Sequence, residues 1–119
     1  MQRRVVCEWH VIPAGEPSMG HHRTFSASGS YYMKPGALME KYRNQPCIVV
    51  MDFDKFHADH MAHLLRMTRP DFETRNANGK PVHPVHTKLV VRSQWLPSDI
   101  WRGQNAAQVE EAFIILYKK

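Results

Sequence analysis

This sequence has few cysteines, and it lacks long apolar runs and internal repeats. The two cysteines, Cys7 and Cys47, each lie within an apolar stretch, which is typical of buried thiols in a reducing compartment. A single disulfide between neighbouring core strands stays open as an alternative. No apolar stretch approaches the ~20 residues that a membrane span needs. The sequence therefore predicts an intracellular protein without a membrane anchor.

The sequence does supply one domain's length of chain and an excess of positive charge. Its 119 residues, 43% of them hydrophobic, are enough to build one core. The formal net charge of +5 fits a nucleic-acid partner, but it would equally keep an ordinary domain in solution. The lysines and arginines are scattered along the sequence rather than clustered. The length and composition of the sequence predict a single domain over residues 1–119.

Hydrophobic patterning predicts strands that alternate with helices and loops. Short apolar runs predict strands at residues 5–12, 31–33, 47–51 and 88–92, and one near residue 116. Helical spacing predicts a helix at residues 56–67, and shorter helical segments are expected at residues 20–26, 37–42, 98–101 and 108–116. Asn78-Gly79 predicts a β-hairpin that joins residues 72–75 to residues 82–86. This order is typical of an α/β domain with a mainly parallel sheet and an inserted hairpin.

Residues 15–22 follow the first predicted strand and have the glycine spacing of a phosphate-binding loop. Gly15 and Gly20 stand where the motif G-x-x-x-x-G-K-[ST] places its glycines, so that backbone N–H groups wrap the phosphates. His21 replaces the lysine of that motif, and His22 replaces the serine or threonine that holds Mg²⁺. Glycines at this spacing also occur in ordinary loops.

Two acidic residues follow the most apolar predicted strand, residues 47–51. Asp52 and Asp54 follow it as the carboxylates of a Walker B strand do, where one positions Mg²⁺ and the other activates water. The alternative for Asp54 is that its side chain caps the next helix. A later predicted strand ends in two further polar residues, Ser93 and Gln94.

In this order, the motifs resemble the superfamily 3 helicase (ATPase) domain of Rep proteins from circular single-stranded DNA viruses. The family has a tyrosine-containing stretch before Walker B, similar to residues 31–36, and a hairpin that touches DNA, similar to the turn at Gly79 and Lys80. Its next strand ends in polar residues followed by Pro and an aromatic residue, as residues 92–101 do. The resemblance implies a P-loop (AAA+-like) fold, with a mainly parallel sheet, flanking helices and an inserted β-hairpin.

The resemblance also implies ligands and partners. The hairpin would present three DNA-binding residues: Arg75, Lys80 and Lys88. An active domain would use ATP and Mg²⁺, with Asp52, Asp54 and Gln94 as its catalytic residues. The implied partners are single-stranded or duplex DNA, a Rep subunit or a second copy of the chain, in the nucleus or cytoplasm of an infected host cell.

The chain departs from this family at positions that phosphoryl transfer needs. Besides the two histidines of the phosphate loop, Phe53 takes the second acidic position, Gln94 replaces an asparagine, and residues 113–116 are apolar where the family has an arginine pair. Losing several such groups argues against efficient ATP hydrolysis and against a resident cofactor. The predicted function is a non-catalytic Rep-like protein that binds nucleic acid or a Rep subunit in viral DNA replication. The alternatives are a weak Mg-dependent nucleotide-binding ATPase and a small viral or phage protein that blocks a host partner.

Histidines and tryptophans each admit two interpretations. One set of histidines recurs every three residues along the predicted helix, at His57, His60 and His63. This set forms either a polar helix face, which we favour, or part of a metal site. The tryptophans, Trp9, Trp95 and Trp101, either stack on bases or, as we favour, anchor the core and its loops.

Overall fold

The computed structural model describes residues 4–12 and 29–117. Seven strands are present in this part of the chain: β1 (Val6–Val11), β2 (Ser30–Met33), β3 (Cys47–Phe53), β4 (Thr74–Arg75), β5 (Pro81–Val82), β6 (Lys88–Ser93) and β7 (Ile114–Tyr117). A 3₁₀ helix (Lys55–His60) leads directly into α1 (Met61–Met67), and two more helices, α2 (Pro97–Ile100) and α3 (Gln104–Ala112), precede β7. No helix in the described residues is both long and apolar enough to cross a bilayer.

Five of the strands form one sheet in the order β2-β3-β6-β1-β7, and every neighbouring pair is parallel. The prediction of an α/β fold with a mainly parallel sheet is therefore confirmed. All five strands begin at one side of the sheet, called the amino edge below, and end at the other, called the carboxyl edge. The predicted hairpin is also present, as the short antiparallel pair β4–β5.

The main core lies on one face of the sheet, because alternate residues of the central strands point to it. Trp9, Val50 and Leu89 are buried there and belong to the same cluster as Leu64 of α1 and Val109 of α3. A smaller described cluster of Val49, Met51 and Val90 occupies the opposite face. Burial on both faces explains why the central strands are apolar almost throughout.

Four aromatic rings pack together in the main core: Trp9 of β1, Phe53 at the carboxyl edge, Trp101 after α2, and Phe113 just before β7 begins. The ring centroid of Trp9 lies 5.5 Å from that of Phe53 and 5.9 Å from those of Trp101 and Phe113, in edge-to-face arrangements. Trp9 Nε1 donates to the carbonyl of Trp95 at 2.8 Å. Trp9 and Trp101 are 0% and 5% exposed, so these two tryptophans anchor the core, in line with the interpretation favoured from the sequence.

The helix predicted over residues 56–67 is divided into two elements. Its first half is a 3₁₀ helix, in which His57 N donates to Asp54 O at 3.0 Å. Trp101 Nε1 donates to the carbonyl of Ala58 at 2.9 Å, which occupies an acceptor that a continuous α-helix would use itself. A buried tryptophan distant in sequence thus hydrogen-bonds to the 3₁₀ helix.

The prediction of a helical turn at residues 37–42 is wrong. Lys41 has a φ of 57°, which a right-handed helix does not allow. The carbonyl of Glu40 instead accepts a hydrogen bond from the Tyr31 hydroxyl at 2.7 Å. The helix predicted at residues 20–26 lies outside the described residues.

Candidate functional site

A β-bulge near the end of β3 turns Asp52 towards solvent. Val50 pairs with Val91 and Phe53 pairs with Ser93, so β3 has one residue more than β6 between these pairs. Asp52 is that extra residue. Its φ is 56° and its side chain is exposed, whereas Phe53 is 1% exposed. The bulge therefore lets Phe53 enter the core and leaves the carboxylate available to a ligand.

Asp54 has a structural role at the start of the 3₁₀ helix. Its Oδ1 accepts from Phe56 N at 2.9 Å and lies 2.9 Å from Nδ1 of His57. The N-cap alternative for Asp54 is therefore what the structure shows. A carboxylate that already accepts these hydrogen bonds has less capacity to bind Mg²⁺ than Asp52 has.

Ser93 connects three strand ends at the carboxyl edge. Its hydroxyl donates to the carbonyl of Phe53 and accepts from Trp95 N at 3.0 Å, and its carbonyl accepts from Ile12 N at 2.8 Å. Ser93 is 3% exposed, whereas Gln94 beside it is exposed. The ends of β1, β3 and β6 thus meet with Asp52 and Gln94 facing solvent.

The chain leaves β1 and its neighbour β6 in opposite directions along the sheet. β1 is followed by β2, the outermost strand on one side of the sheet. β6 is followed by β7, the outermost strand on the other side, so the chain passes β1 on the way. In open parallel sheets, ligands bind beyond the carboxyl ends of two such strands. The candidate phosphate residues Gly15, Gly20, His21 and His22 follow β1 but lie outside the described residues. Ile12, the last described residue before them, is hydrogen-bonded to Ser93.

No protein-family model and no curated protein matches this chain. Its function is therefore inferred from the side chains that the fold brings together.

The β4–β5 hairpin lies near the amino edge, opposite the acidic residues. Its turn is held by Asn76, whose Oδ1 accepts from the backbone N–H groups of Asn78 and Lys80 at 3.0 Å each. Gly79 has a φ of 77°, the left-handed conformation that its place in an Asn-Gly turn requires. Arg75 Nη1 donates to the carbonyl of Gly79 at 3.0 Å. Arg75 and Lys80 are both exposed.

Lys88 is not part of this hairpin, contrary to the prediction that the hairpin would present it. It is the first residue of β6, and its Nζ lies 3.4 Å from Oε1 of Glu8 on the neighbouring strand β1. His10 Nε2 contacts the same oxygen at 2.8 Å. Burial raises the pKa of Glu8, but the hydrogen bond from His10 and the charge of Lys88 outweigh it, so the net pKa is lowered. Glu8 therefore offsets part of the charge of Lys88.

His57, His60 and His63, which recur every three residues in the sequence, each make a different contact. His57 caps the 3₁₀ helix, and the ring of His60 lies against Gly36, where an added Cβ would approach it to 2.5 Å. His63 packs edge-on against Phe72, with ring centroids 5.5 Å apart. Its buried Nε2 has no hydrogen-bond partner in the described structure. Burial first, then the charges of Arg66 and His60, lower the pKa of His63.

Metal-binding geometry is not found among residues 4–12 and 29–117, where no three histidine, cysteine or carboxylate side chains are grouped to hold an ion. Both cysteines are free thiols, with Cys7 buried and Cys47 half-buried. Burial raises the pKa of Cys7 to about 11, so this thiol stays protonated and unreactive at neutral pH.

Two features of the carboxyl edge are absent from the sequence-based predictions. Phe56 is 93% exposed although it is the first apolar residue of the helix predicted over residues 56–67. Lys55 lies over the half-buried ring of Trp95, with Nζ 4.3 Å from the centroid. Lys55 and Phe56 both lie in the 3₁₀ helix, whose residue spacing differs from that of an α-helix.

Proposed function

We propose that this chain is a non-catalytic, Rep-like P-loop-fold protein that binds nucleic acid through its β4–β5 hairpin. The proposal also includes pairing of this chain with a Rep subunit instead of nucleic acid. Either interaction would modulate viral DNA replication. The observation that carries the proposal is the placement of Arg75 and Lys80 on a rigid, exposed turn. The parallel sheet and the inserted hairpin are the features that the Rep helicase resemblance implies.

The hairpin has the properties that phosphate contacts need. Its turn is fixed by the two hydrogen bonds to Asn76, so little backbone freedom is lost when Lys80 meets a phosphate. Arginine and lysine contacts to phosphates are independent of base sequence and release counterions. We therefore expect binding that is weakly sequence-dependent and strongly salt-dependent.

The side chains at the carboxyl edge support the non-catalytic part of this proposal. Asp54 is engaged in capping, and the lysine and hydroxyl of a phosphate-binding loop are replaced by His21 and His22. Phosphoryl transfer depends on fixed positive charge and on Mg²⁺ held by hydroxyl and carboxylate groups. Asp52 and Gln94 alone supply too little of this set.

Fluorescence anisotropy with labelled single-stranded and duplex DNA tests the proposal, with affinity measured at several salt concentrations. We expect Lys80→Ala to weaken binding several-fold and to reduce the slope of log K against log salt by about 1. Lys34→Ala is the matched control, because Lys34 is exposed at the opposite edge of the sheet. Salt-independent binding, or equal loss in both variants, would contradict a hairpin-based contact.

A second candidate function is Mg-nucleotide binding at the carboxyl edge. It is favoured by the opposite chain directions after β1 and β6 and by the exposed Asp52 beside them. A fluorescent ATP analogue titrated with Mg²⁺ at pH 6 and pH 8 tests it, with Asp52→Asn as the variant. Saturable binding that Asp52→Asn weakens supports this function, and stronger binding at pH 6 implicates protonated His21 or His22. No binding at millimolar nucleotide rejects it.

A further inference from the structure

The connection between β2 and β3 contains a strained segment, residues 40–45, called the 40–45 loop below. Lys41 and Asn44 have φ values of 57° and 59°. Left-handed backbone is unfavourable for a lysine, and it persists only where the surroundings impose it. Asparagine adopts this conformation more readily, so it is Lys41 that indicates a loop conformation fixed by specific contacts.

Those contacts are made by two tyrosines and a glutamine. The Tyr42 hydroxyl donates to the carbonyl of Gln45 at 2.8 Å, and Arg43 N donates to Oε1 of Gln45 at 2.7 Å. The ring of Tyr31 packs edge-on against Tyr42 at a centroid distance of 5.3 Å. With the ring of Tyr42 half-buried, its neighbours Lys41 and Arg43 are both exposed.

Two hydrogen bonds join the 40–45 loop to the segment that contains the hairpin. The Glu40 carboxylate accepts from Ala77 N in the hairpin turn. The Tyr42 hydroxyl accepts from Val85 N, three residues after β5, at 3.1 Å. Lys41 and Arg43 are therefore held beside the hairpin that presents Arg75 and Lys80, although more than thirty positions separate them in the numbering.

We propose that the 40–45 loop is a second contact for the phosphate backbone of nucleic acid, made by Lys41 and Arg43. This inference rests on the proposed binding by the hairpin. Glu40 acts as a positioning residue, because its carboxylate fixes the loop to the hairpin turn. The fold thus brings the loop that carries Lys41 and Arg43 to the hairpin that carries Arg75 and Lys80. Their fixed positions reduce the entropy lost on binding.

The charge test is a double variant, Lys41→Ala with Arg43→Ala, measured by DNA anisotropy over a range of salt. We expect affinity to fall on the order of tenfold and the salt slope to decrease by about 2. Alanine at position 41 keeps a side chain at the same positive φ, so the backbone strain is little changed. The matched control, Lys34→Ala with Arg102→Ala, removes one lysine and one arginine that are exposed at the carboxyl edge, and should bind as the wild type does.

The positioning role of Glu40 has a test whose two outcomes differ in sign. If Glu40 only repels phosphate, Glu40→Ala should tighten binding. If it positions the loop, Glu40→Ala should weaken binding several-fold although a negative charge is lost, and Glu40→Gln, which keeps the acceptor for Ala77 N, should restore it. Tighter binding by Glu40→Ala overturns the positioning role.

The same measurements separate this inference from the proposed function. A double variant at positions 41 and 43 that binds like the wild type, while Lys80→Ala binds weakly, overturns the second contact and leaves the hairpin contact standing. A wild-type protein that shows no DNA binding even at low salt overturns both. Circular dichroism of each variant confirms that the fold is retained before the affinities are compared.

Discussion

The two edges of the sheet are built by different kinds of interaction. At the carboxyl edge, the rings of Phe53 and Trp101 pack against each other and against Trp9, and the buried Ser93 joins three strand ends. At the amino edge, the hairpin and the 40–45 loop are joined by hydrogen bonds between half-buried or exposed groups. Burial of large rings contributes far more stability than such hydrogen bonds do. We therefore expect the carboxyl edge to determine stability and the amino edge to be more tolerant of substitution.

The largest effect should come from the aromatic cluster. Phe53→Ala removes a ring that is 1% exposed and should cost about 3–5 kcal/mol of unfolding free energy. Phe56→Ala makes the same chemical change three residues later, where the ring is 93% exposed, and should stay within about 0.5 kcal/mol of the wild type. Urea denaturation of both variants measures the difference. Similar losses would show that the two phenylalanines are not as differently buried as described.

A smaller loss is expected from the polar connection at the same edge. Ser93→Ala leaves the carbonyl of Phe53 and the N–H of Trp95 without the hydroxyl and should cost about 1–3 kcal/mol. Ser98→Ala, at an exposed position of α2, is the control and should change stability little. Thermal unfolding of the two proteins compares them. A Ser93 variant as stable as the control would mean that water replaces the hydroxyl.

At the amino edge, the corresponding change should cost less. Tyr42→Phe removes the hydroxyl that bonds both Val85 N and the carbonyl of Gln45 and should cost about 1 kcal/mol. Hydrogen exchange should accelerate at Val85 N while the amides of β6 stay protected. Tyr117→Phe, at a tyrosine that is 69% exposed in β7, is the matched control. Faster exchange throughout the sheet would contradict the separation of the two edges.

The smallest effect should be a pH dependence that arises between the edges, in α1. Because burial lowers the pKa of His63 below its ordinary value of 6.5, the unfolded chain binds a proton more readily than the folded one. The stabilisation from neutral His63 is thus complete above pH 6.5 and is lost as pH falls through the lowered pKa. Melting temperatures between pH 8 and pH 5 should decline less in His63→Gln than in the wild type.

The parallel sheet could be predicted from sequence because apolar runs that are buried on both faces leave a local pattern. The hairpin was equally visible, since Asn78-Gly79 specifies its own turn. The 3₁₀ helix was not, because the hydrogen bond that its Ala58 carbonyl accepts comes from Trp101, which lies far along the chain. The bulge at Asp52 was missed for a similar reason: only the pairing with β6 reveals that one residue is extra.

The site residues show the same limit. Whether Asp54 binds a ligand or caps a helix was left open by the sequence, and the contacts with Phe56 and His57 identify the cap. The group formed by Lys41, Arg43 and the hairpin could not be predicted, because the Glu40–Ala77 and Tyr42–Val85 hydrogen bonds that gather it join distant parts of the chain.

The bulge in β3 has a consequence for how this chain can change over time. Deleting Asp52 would restore regular alternation in the strand, with Phe53 still on the same face as Val50. The acidic group is therefore an insertion into a strand that would be complete without it. A single-codon deletion or insertion at this point would remove or restore the exposed carboxylate while the buried sequence on either side stays the same. The exposed carboxylate and the folding information of β3 are thus encoded here in separable codons.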